Sequence, residues 1–410
     1  MPHSTVQANE HMKGNLMRKT TGAFSVLTML EGTGIAVHEN RCVVVRNRNA
    51  RCLRCVEACT SGCIALAGNE LCIAPDNCVG CGACTTACPT SALETHDPSD
   101  AELLESALAT LEKTNGLVVC ACEKALSDIR GVYNPEKLVR ITCLGRIEEA
   151  LLTSLVAAGA TDIRLLKAQC DECESRAGLL VAQAVCSTTN VILDTWNRDA
   201  RVVIVEELPP VARLSDTQSY DDEKREFFTQ LFRGAKRAAG MFADPSDESV
   251  YDQSDAAGLK YVKVTDDGTL PPFFPERRVR LIESLTAFGT PQDILIETRL
   301  WGHVIIDEDT CSSCQMCATF CPTGAIRKFK EADGSFGVDF WVNRCVKCRC
   351  CTDICTQHAI KLSEEVFAVD ILSETSERIS MRPVENPGGN PHAIHSALKS
   401  LLGSDQIFER

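Results

Sequence analysis

Cysteine is the residue that could do chemistry here, at 25 of 410 residues. Cys311, Cys314, Cys317 and Cys321 form a C-x2-C-x2-C-x3-C run closed by Pro322, and Cys345, Cys348, Cys351 and Cys355 repeat the spacing. Three thiolates in so short a loop can hold three irons of a cubane, while the fourth begins the next helix and points the other way. Each run therefore lends its last cysteine to the other's cluster. One predicted 4Fe–4S site takes Cys311, Cys314, Cys317 and Cys355; the second takes Cys345, Cys348, Cys351 and Cys321. Pro322 suits a first helical turn, where its missing N–H costs nothing. Cys350 breaks both intervals and is assigned no iron. Structural zinc or buried thiols would not call for two copies at full spacing.

A second group lies nearer the start. Cys78, Cys81, Cys84 and Cys88, followed by Pro89, make another full run. Its companion is incomplete: Cys52, Cys55 and Cys59 fill the last three positions, but Asn49 stands at the first. Cys42 is the substitute, reached through a longer loop. The expected 4Fe–4S sites are Cys42, Cys52, Cys55 and Cys88, then Cys78, Cys81, Cys84 and Cys59. Cys63 and Cys72 are read as small core residues, since free cysteine is often buried.

These residues need elements to position them. Between the two groups, short apolar stretches alternate with helical patterns, which implies a parallel sheet with helices on its faces. Predicted strands are Leu117–Val119, Leu138–Thr142, Ile163–Leu166, Val191–Leu193 and Val202–Val205. Ser99 or Asp100 caps a helix that carries Leu103, Ala107 and Leu111 and stops at Gly116. A second helix runs from Arg146 to Ala158. Cys120 and Cys122, then Cys143, then Cys170 and Cys173 follow three successive strands, at the carboxyl edge where open α/β sheets bind ligands. The helix from Arg146 would aim its positive end at that edge. Cys186 lies mid-helix and is read as core.

The rest of the chain bounds the function. Net charge is −14, which speaks against a nucleic-acid partner. The longest mainly apolar window, 150–160, is too short to span a bilayer, and so many cysteines without a signal peptide point to metal in a cytoplasmic protein. No phosphate-binding glycine loop, flavin or nicotinamide site, or catalytic triad is found; Gly32 and Gly34 form a lone G-x-G. Arg41, Arg46, Arg48, Arg51 and Arg54 crowd the first cysteine group, and Arg344, Lys347 and Arg349 interleave the last. Such charges can raise a cluster's potential or steer an acidic partner. The predicted fold class is multidomain α+β and α/β: two ferredoxin-like modules, each with two 4Fe–4S sites, flanking a parallel-sheet α/β domain. The segments are an arm (1–36), a module (37–97), the α/β domain (98–215), a helical and acidic connector (216–302), a second module (303–365) and a tail (366–410). Within the connector, the helix Arg277–Phe288 is expected to pack under the second module.

At these residues the flanking modules resemble bacterial two-cluster ferredoxins. The central Cys120 and Cys122, the Cys143-x-Gly145-Arg146 turn, and Cys170 with Cys173 resemble the small iron–sulfur (delta) subunit of methyl-viologen-reducing hydrogenases. The first pair departs from that family, with one intervening residue instead of two. The resemblance implies a 2Fe–2S cluster held by four of the five central cysteines. It also implies an anaerobic setting, with electrons passing from hydrogenase or formate dehydrogenase to a heterodisulfide reductase. The function expected is electron transfer between redox subunits. The alternative is a cluster-fed thiol/disulfide oxidoreductase using a central dithiol.

Overall fold

The computed structural model describes residues 34–67, 69–214, 251–252, 261–262 and 264–382. Most of the expected arm, the charged helix at 216–243 and the terminal helix at 394–402 lie outside the described residues.

The first module is small and strand-poor. β1 (Ile35–Val37) pairs antiparallel with β4 (Leu93–Thr95), and β2 (Ile64–Ala67) with β3 (Glu70–Ile73). Its helices α1 (Val43–Arg46), α2 (Arg54–Glu57) and α3 (Ala83–Ala87) each begin just after a cysteine: Cys42, Cys52 and Cys81.

In the central domain, Ser99 caps α4 (Asp100–Leu111) through a complete capping box with Glu102. The helix ends at Leu111, ahead of Gly116. That glycine instead opens β5 (Leu117–Cys122) at φ +92°, and its carbonyl accepts from the N–H groups of Thr161 and Asp162. α5 (Glu123–Asp128) follows β5 directly. The sheet adds β6 (Val139–Ile141), β7 (Asp162–Leu166) and β8 (Arg201–Val205), all parallel, in the order β6-β5-β7-β8.

Three sequence expectations change here. The strand at 191–193 is absent, because those residues belong to α7 (Ala177–Thr195). Val185, Thr188, Thr189 and Ile192 recur at helical spacing, so their β-branched side chains reach the core from a helix. The helix expected from Arg146 is a 3-10 turn at 144–146 followed by α6 (Glu149–Ala157). The buried Glu148 carboxylate caps α6, accepting from the N–H groups of Ala150 (2.9 Å) and Leu151 (3.0 Å). The positive end is thus already satisfied and does not serve the thiols. Among the described residues α7 alone is long and apolar enough to cross a membrane by length and composition. It packs on the 144–146 turn and on β8.

β9 (Tyr251–Asp252) pairs with β10 (Tyr261–Val262). α8 (Glu276–Phe288) packs chiefly on α6, where Leu281, Leu285 and Phe288 join the central core, and it touches the second module through Arg278 at the Cys345 carbonyl. The second module pairs β11 (Leu295–Glu297) with β16 (Glu365–Phe367), and β12 (His303–Ile306) with β15 (Ile360–Ser363). α9 (Met316–Thr319) and α10 (Cys350–Ile354) follow its cysteine loops. β13 (Ile326–Lys330), β14 (Phe336–Phe340) and β17 (Glu377–Met381) form an antiparallel sheet with β14 central.

Candidate metal centres

All 25 cysteines are free thiols, and most of them lie in groups. In the central domain Cys143 is pushed up to about 12, first by burial and then by the nearby charges of Cys81, Cys122 and Cys173. Cys170 is raised by burial and by Cys122 and Cys173. Cys122, Cys143, Cys170 and Cys173 therefore form one group at the carboxyl edge of the sheet. Backbone N–H groups already point at three of them: Ala125 to Cys122 (3.4 Å), Gly145 to Cys143 (3.5 Å) and Ser175 to Cys173 (3.5 Å). Cys120 is not in the group. It is fully buried within β5, and burial is the sole influence that lifts its thiol, to about 12.

The Cys143-x-Gly145-Arg146 turn locks this ring to the first module. A Cβ on Gly145 would meet the Gly178 Cα at 2.7 Å and the Ala83 Cβ at 3.0 Å. Gly145 thus lets α7, the turn and α3 meet. Arg146 lies against Gly82, between Cys81 and Cys84, and bonds to Asp100. The Thr60 hydroxyl accepts from the Ala177 N–H (2.9 Å), closing the same interface.

In the first module Cys55 is pushed up to about 12 by burial and then by Cys88, Cys42 and Cys52. The four residues expected to share a cubane are thus together. Cys42 is placed at the start of α1, where the N–H groups of Val44 and Val45 face its thiol. The second ring holds Cys59, Cys78, Cys81 and Cys84; burial, then Cys81 and Cys59 among other thiols, raises Cys84. This ring has a fifth member. The Cys63 sulfur lies 3.5 Å from that of Cys59 and hydrogen-bonds to Cys78. Cys63 is buried, as expected of a core residue, and occupies the position filled elsewhere by Ala92, Ala325 and Ala359, yet its thiol joins the ring.

The second module is arranged alike. Burial and then Cys314, Cys311 and Cys321 push Cys317 up to about 12, with Ala318 N–H opposing. Cys311 is raised by burial, Cys314 and Cys355. Cys321, Cys345, Cys348 and Cys351 line one cavity walled by Val304, Phe340 and Leu362, and Cys350 borders it too. Three of the runs share a backbone pattern. The residues two and four places after the first cysteine are left-handed: Gly80 and Gly82, Ser313 and Gln315, Lys347 and Arg349, all with φ between 51° and 74°. In each, the N–H two places on faces the first thiol, from Gly80, Ser313 and Lys347. His358 holds the left-handed position after Cys355 that Gly62, Ser91 and Gly324 hold after the other fourth cysteines.

The two modules also meet each other. Cys350, buried, packs with Val43, Ala50 and Ile354, against Cys52, Phe320 and Cys348. The Asp353 carboxylate accepts from the Arg51 N–H (2.9 Å), and Arg54 donates to the Lys347 carbonyl (2.8 Å). Arg46 donates to the carbonyls of Pro271 and Leu270, and Arg41 stacks on Phe273. Of the basic residues around the first cysteine group, Arg54 thus fastens the two modules together, while Arg41 and Arg46 hold the connector at 270–273.

Neighbouring thiols with backbone N–H donors aimed at them suit the hydrogen-bonded thiolates that hold an iron–sulfur core. The family model "4Fe-4S binding domain" matches twice, at residues 71–94 and 304–327. The chain is an iron–sulfur protein with two ferredoxin modules. It is 37% identical over 62 residues to the "Pyruvate synthase subunit PorD" of Methanocaldococcus jannaschii, covering 15% of this chain and 67% of that protein. It is 46% identical over 43 residues to a "Ferredoxin" of Saccharopolyspora erythraea, covering 10% of this chain and 41% of that one. It is 36% identical over 66 residues to "Ferredoxin-1" of Caulobacter vibrioides, covering 15% and 58%. The matches to the family model bring 4Fe–4S clusters with them, and an electron-transfer role for the iron–sulfur modules. They leave the central sheet and its thiols unmatched.

Proposed function

We propose that this iron–sulfur protein relays electrons along five sites in one line: four 4Fe–4S sites in the modules and one 2Fe–2S site on the central sheet. The observation behind this is the succession of thiol rings. Cys143 of the central ring neighbours Cys81, and Cys84 of that next ring neighbours Cys55. Cys350 neighbours both Cys52 and Cys321 across the module junction, and Cys351 neighbours Cys317. Iron–sulfur clusters, when bound, supply reversible one-electron storage at potentials set by charge and hydrogen bonds. The chain supplies the thiolates, the N–H donors and an apolar shell around them.

The ends of the line are the exposed Cys314 and the half-buried Cys170 and Cys173. Redox subunits of hydrogenase, formate dehydrogenase or heterodisulfide-reductase type would dock there, as the central resemblance implies. The subunit role in the printed name of the PorD relative accords with this. The cytoplasmic, anaerobic setting and the delta-subunit kinship of the central domain belong to the same proposal. A dithiol enzyme would need Cys170 and Cys173 free of iron, whereas Cys170 neighbours Cys122 and Cys173 neighbours Cys143. Anaerobically prepared protein should hold about 18 iron atoms per chain, with separate two-iron and four-iron signals in spin resonance. A count near ten would remove a whole module from the line, and bound zinc in place of iron would end the proposal.

A further inference from the structure

Five cationic side chains are deeply buried: Arg41, Arg146, Arg277, Arg278 and Lys347. Four have carboxylates. Arg41 meets Glu94, Arg146 and Arg277 meet Asp100, and Lys347 meets Glu364. Arg278 has none within ion-pair distance among the described residues. Its Nη2 donates to the carbonyls of Leu300 (2.8 Å) and Cys345 (2.9 Å), and its guanidinium lies 4.5 Å from the Trp301 ring centre. Its Nε and Nη1 have no hydrogen-bond partner. The nearest acid, Glu149, is engaged by both nitrogens of the Arg299 fork (2.6 and 2.7 Å).

A buried charge without a counter-ion is strongly unfavourable. Desolvation accordingly pulls Arg278 down to about 10, while Cys345 and Glu149 pull it back. The groups facing it are Cys345, Glu148, Glu149 and Arg299, so the acids and Arg299 offset one another in part. What remains to balance Arg278 is the thiolate ring that starts at Cys345.

We propose that Arg278 is the counter-cation of the Cys321–Cys345–Cys348–Cys351 site and raises the reduction potential of that site above those of its neighbours. An arriving electron adds negative charge, and a fixed cation in a low-dielectric setting favours the reduced form. Electrons would then rest at the module junction, next to Cys350. This inference rests on the relay reading.

The test is a redox titration of the whole iron-loaded protein, followed by spin resonance, with the signal of this site identified by its loss in Cys351→Ala. Arg278→Gln keeps a donor but removes the charge. At a fixed solution potential it should lower the reduced-to-oxidised ratio of that centre about tenfold, a shift of about 59 mV for one electron. Arg278→Lys, which keeps the charge, should hold the ratio within threefold. An unchanged ratio in Arg278→Gln, or an equal fall in both variants, overturns the proposal. Should Arg278→Gln fail to load iron, Glu149→Gln decides: removing that negative charge must raise the ratio, and no rise overturns the proposal. If Cys351→Ala alters no four-iron signal, the relay reading fails and this inference falls with it.

Discussion

Cys120 and Cys122 stand two places apart on one strand, yet their situations differ. Cys122 ends β5, caps α5 and receives the Ala125 N–H; Cys120 is walled in by the sheet. Cys120→Ala should keep the two-iron signal, while Cys122→Ala and Cys143→Ser should abolish it and leave the four-iron signals. An unchanged spectrum in Cys143→Ser would rule out a central cluster. No spacing rule distinguishes these two cysteines in the sequence, because the choice depends on where the strand ends. Cys42 was legible by elimination, as the remaining thiol able to replace Asn49. Cys63 was not, because its interval from Cys59 is that of a packing alanine. Cys350 and Cys351 pose the same question of register. Cys350 and Cys351 both line the cavity with Cys345 and Cys348, but the Cys350 thiol faces the Phe320 carbonyl at the junction, and Cys351 is the one that keeps both ligand intervals. Cys350→Ala should therefore retain full iron, and Cys351→Ala should lose one cluster, read by iron assay. Equal losses would show that the ligand register is wrong.

At the scale of elements, the cysteine spacing told of helix starts and loop lengths but not of backbone handedness. Ser313, Gln315, Lys347 and Arg349 adopt the left-handed region without being glycine, a conformation that costs about 1–2 kcal/mol per residue. Arg349 and Lys347 are both held there by Glu364. α7 was misjudged because its Thr and Val residues favour strands locally, while its packing on β8 decides for a helix. The turn at 144–146 was noticed for its Gly-Arg pair, but its purpose is visible only in three dimensions. Gly145→Ala would drive a methyl group into Gly178 and Ala83. Overpacking there should destabilise the protein by about 2 kcal/mol in chemical denaturation. It should also separate the central ring from Cys81, weakening any spin coupling between the two- and four-iron centres.

Across the whole molecule, one acid ties the parts together. Asp100, at the start of α4, takes Arg146 from the central turn and Arg277 and Arg280 from α8 (3.2 Å each for the latter two). Burial opposes its ionisation, but Arg277, Arg146 and Arg280 outweigh burial and hold it at about 2, below the ordinary 3.8. A lowered folded value means that its contribution is complete above the unfolded value and drains away as pH falls towards 2. Asp100→Asn should cost about 3 kcal/mol at neutral pH by leaving buried arginines uncompensated. The gap to wild type in urea denaturation should narrow between about pH 4 and pH 2. A gap that stays constant would place the effect in packing rather than charge. The sequence disclosed three parts of this assembly, two cysteine modules and a sheet. It did not disclose that α8 and its arginines join them, since the partners are distant in the chain.

Cys350 packs at the junction of the two modules, between the two inner sites of the proposed line. On the proposed relay, such an arrangement obeys the statistics of a series circuit. Throughput in a population of molecules falls as the product of the occupancies of its sites, whereas total iron and absorbance fall only as their mean. A preparation slightly damaged by oxygen would look nearly intact by colour and yet conduct poorly from end to end.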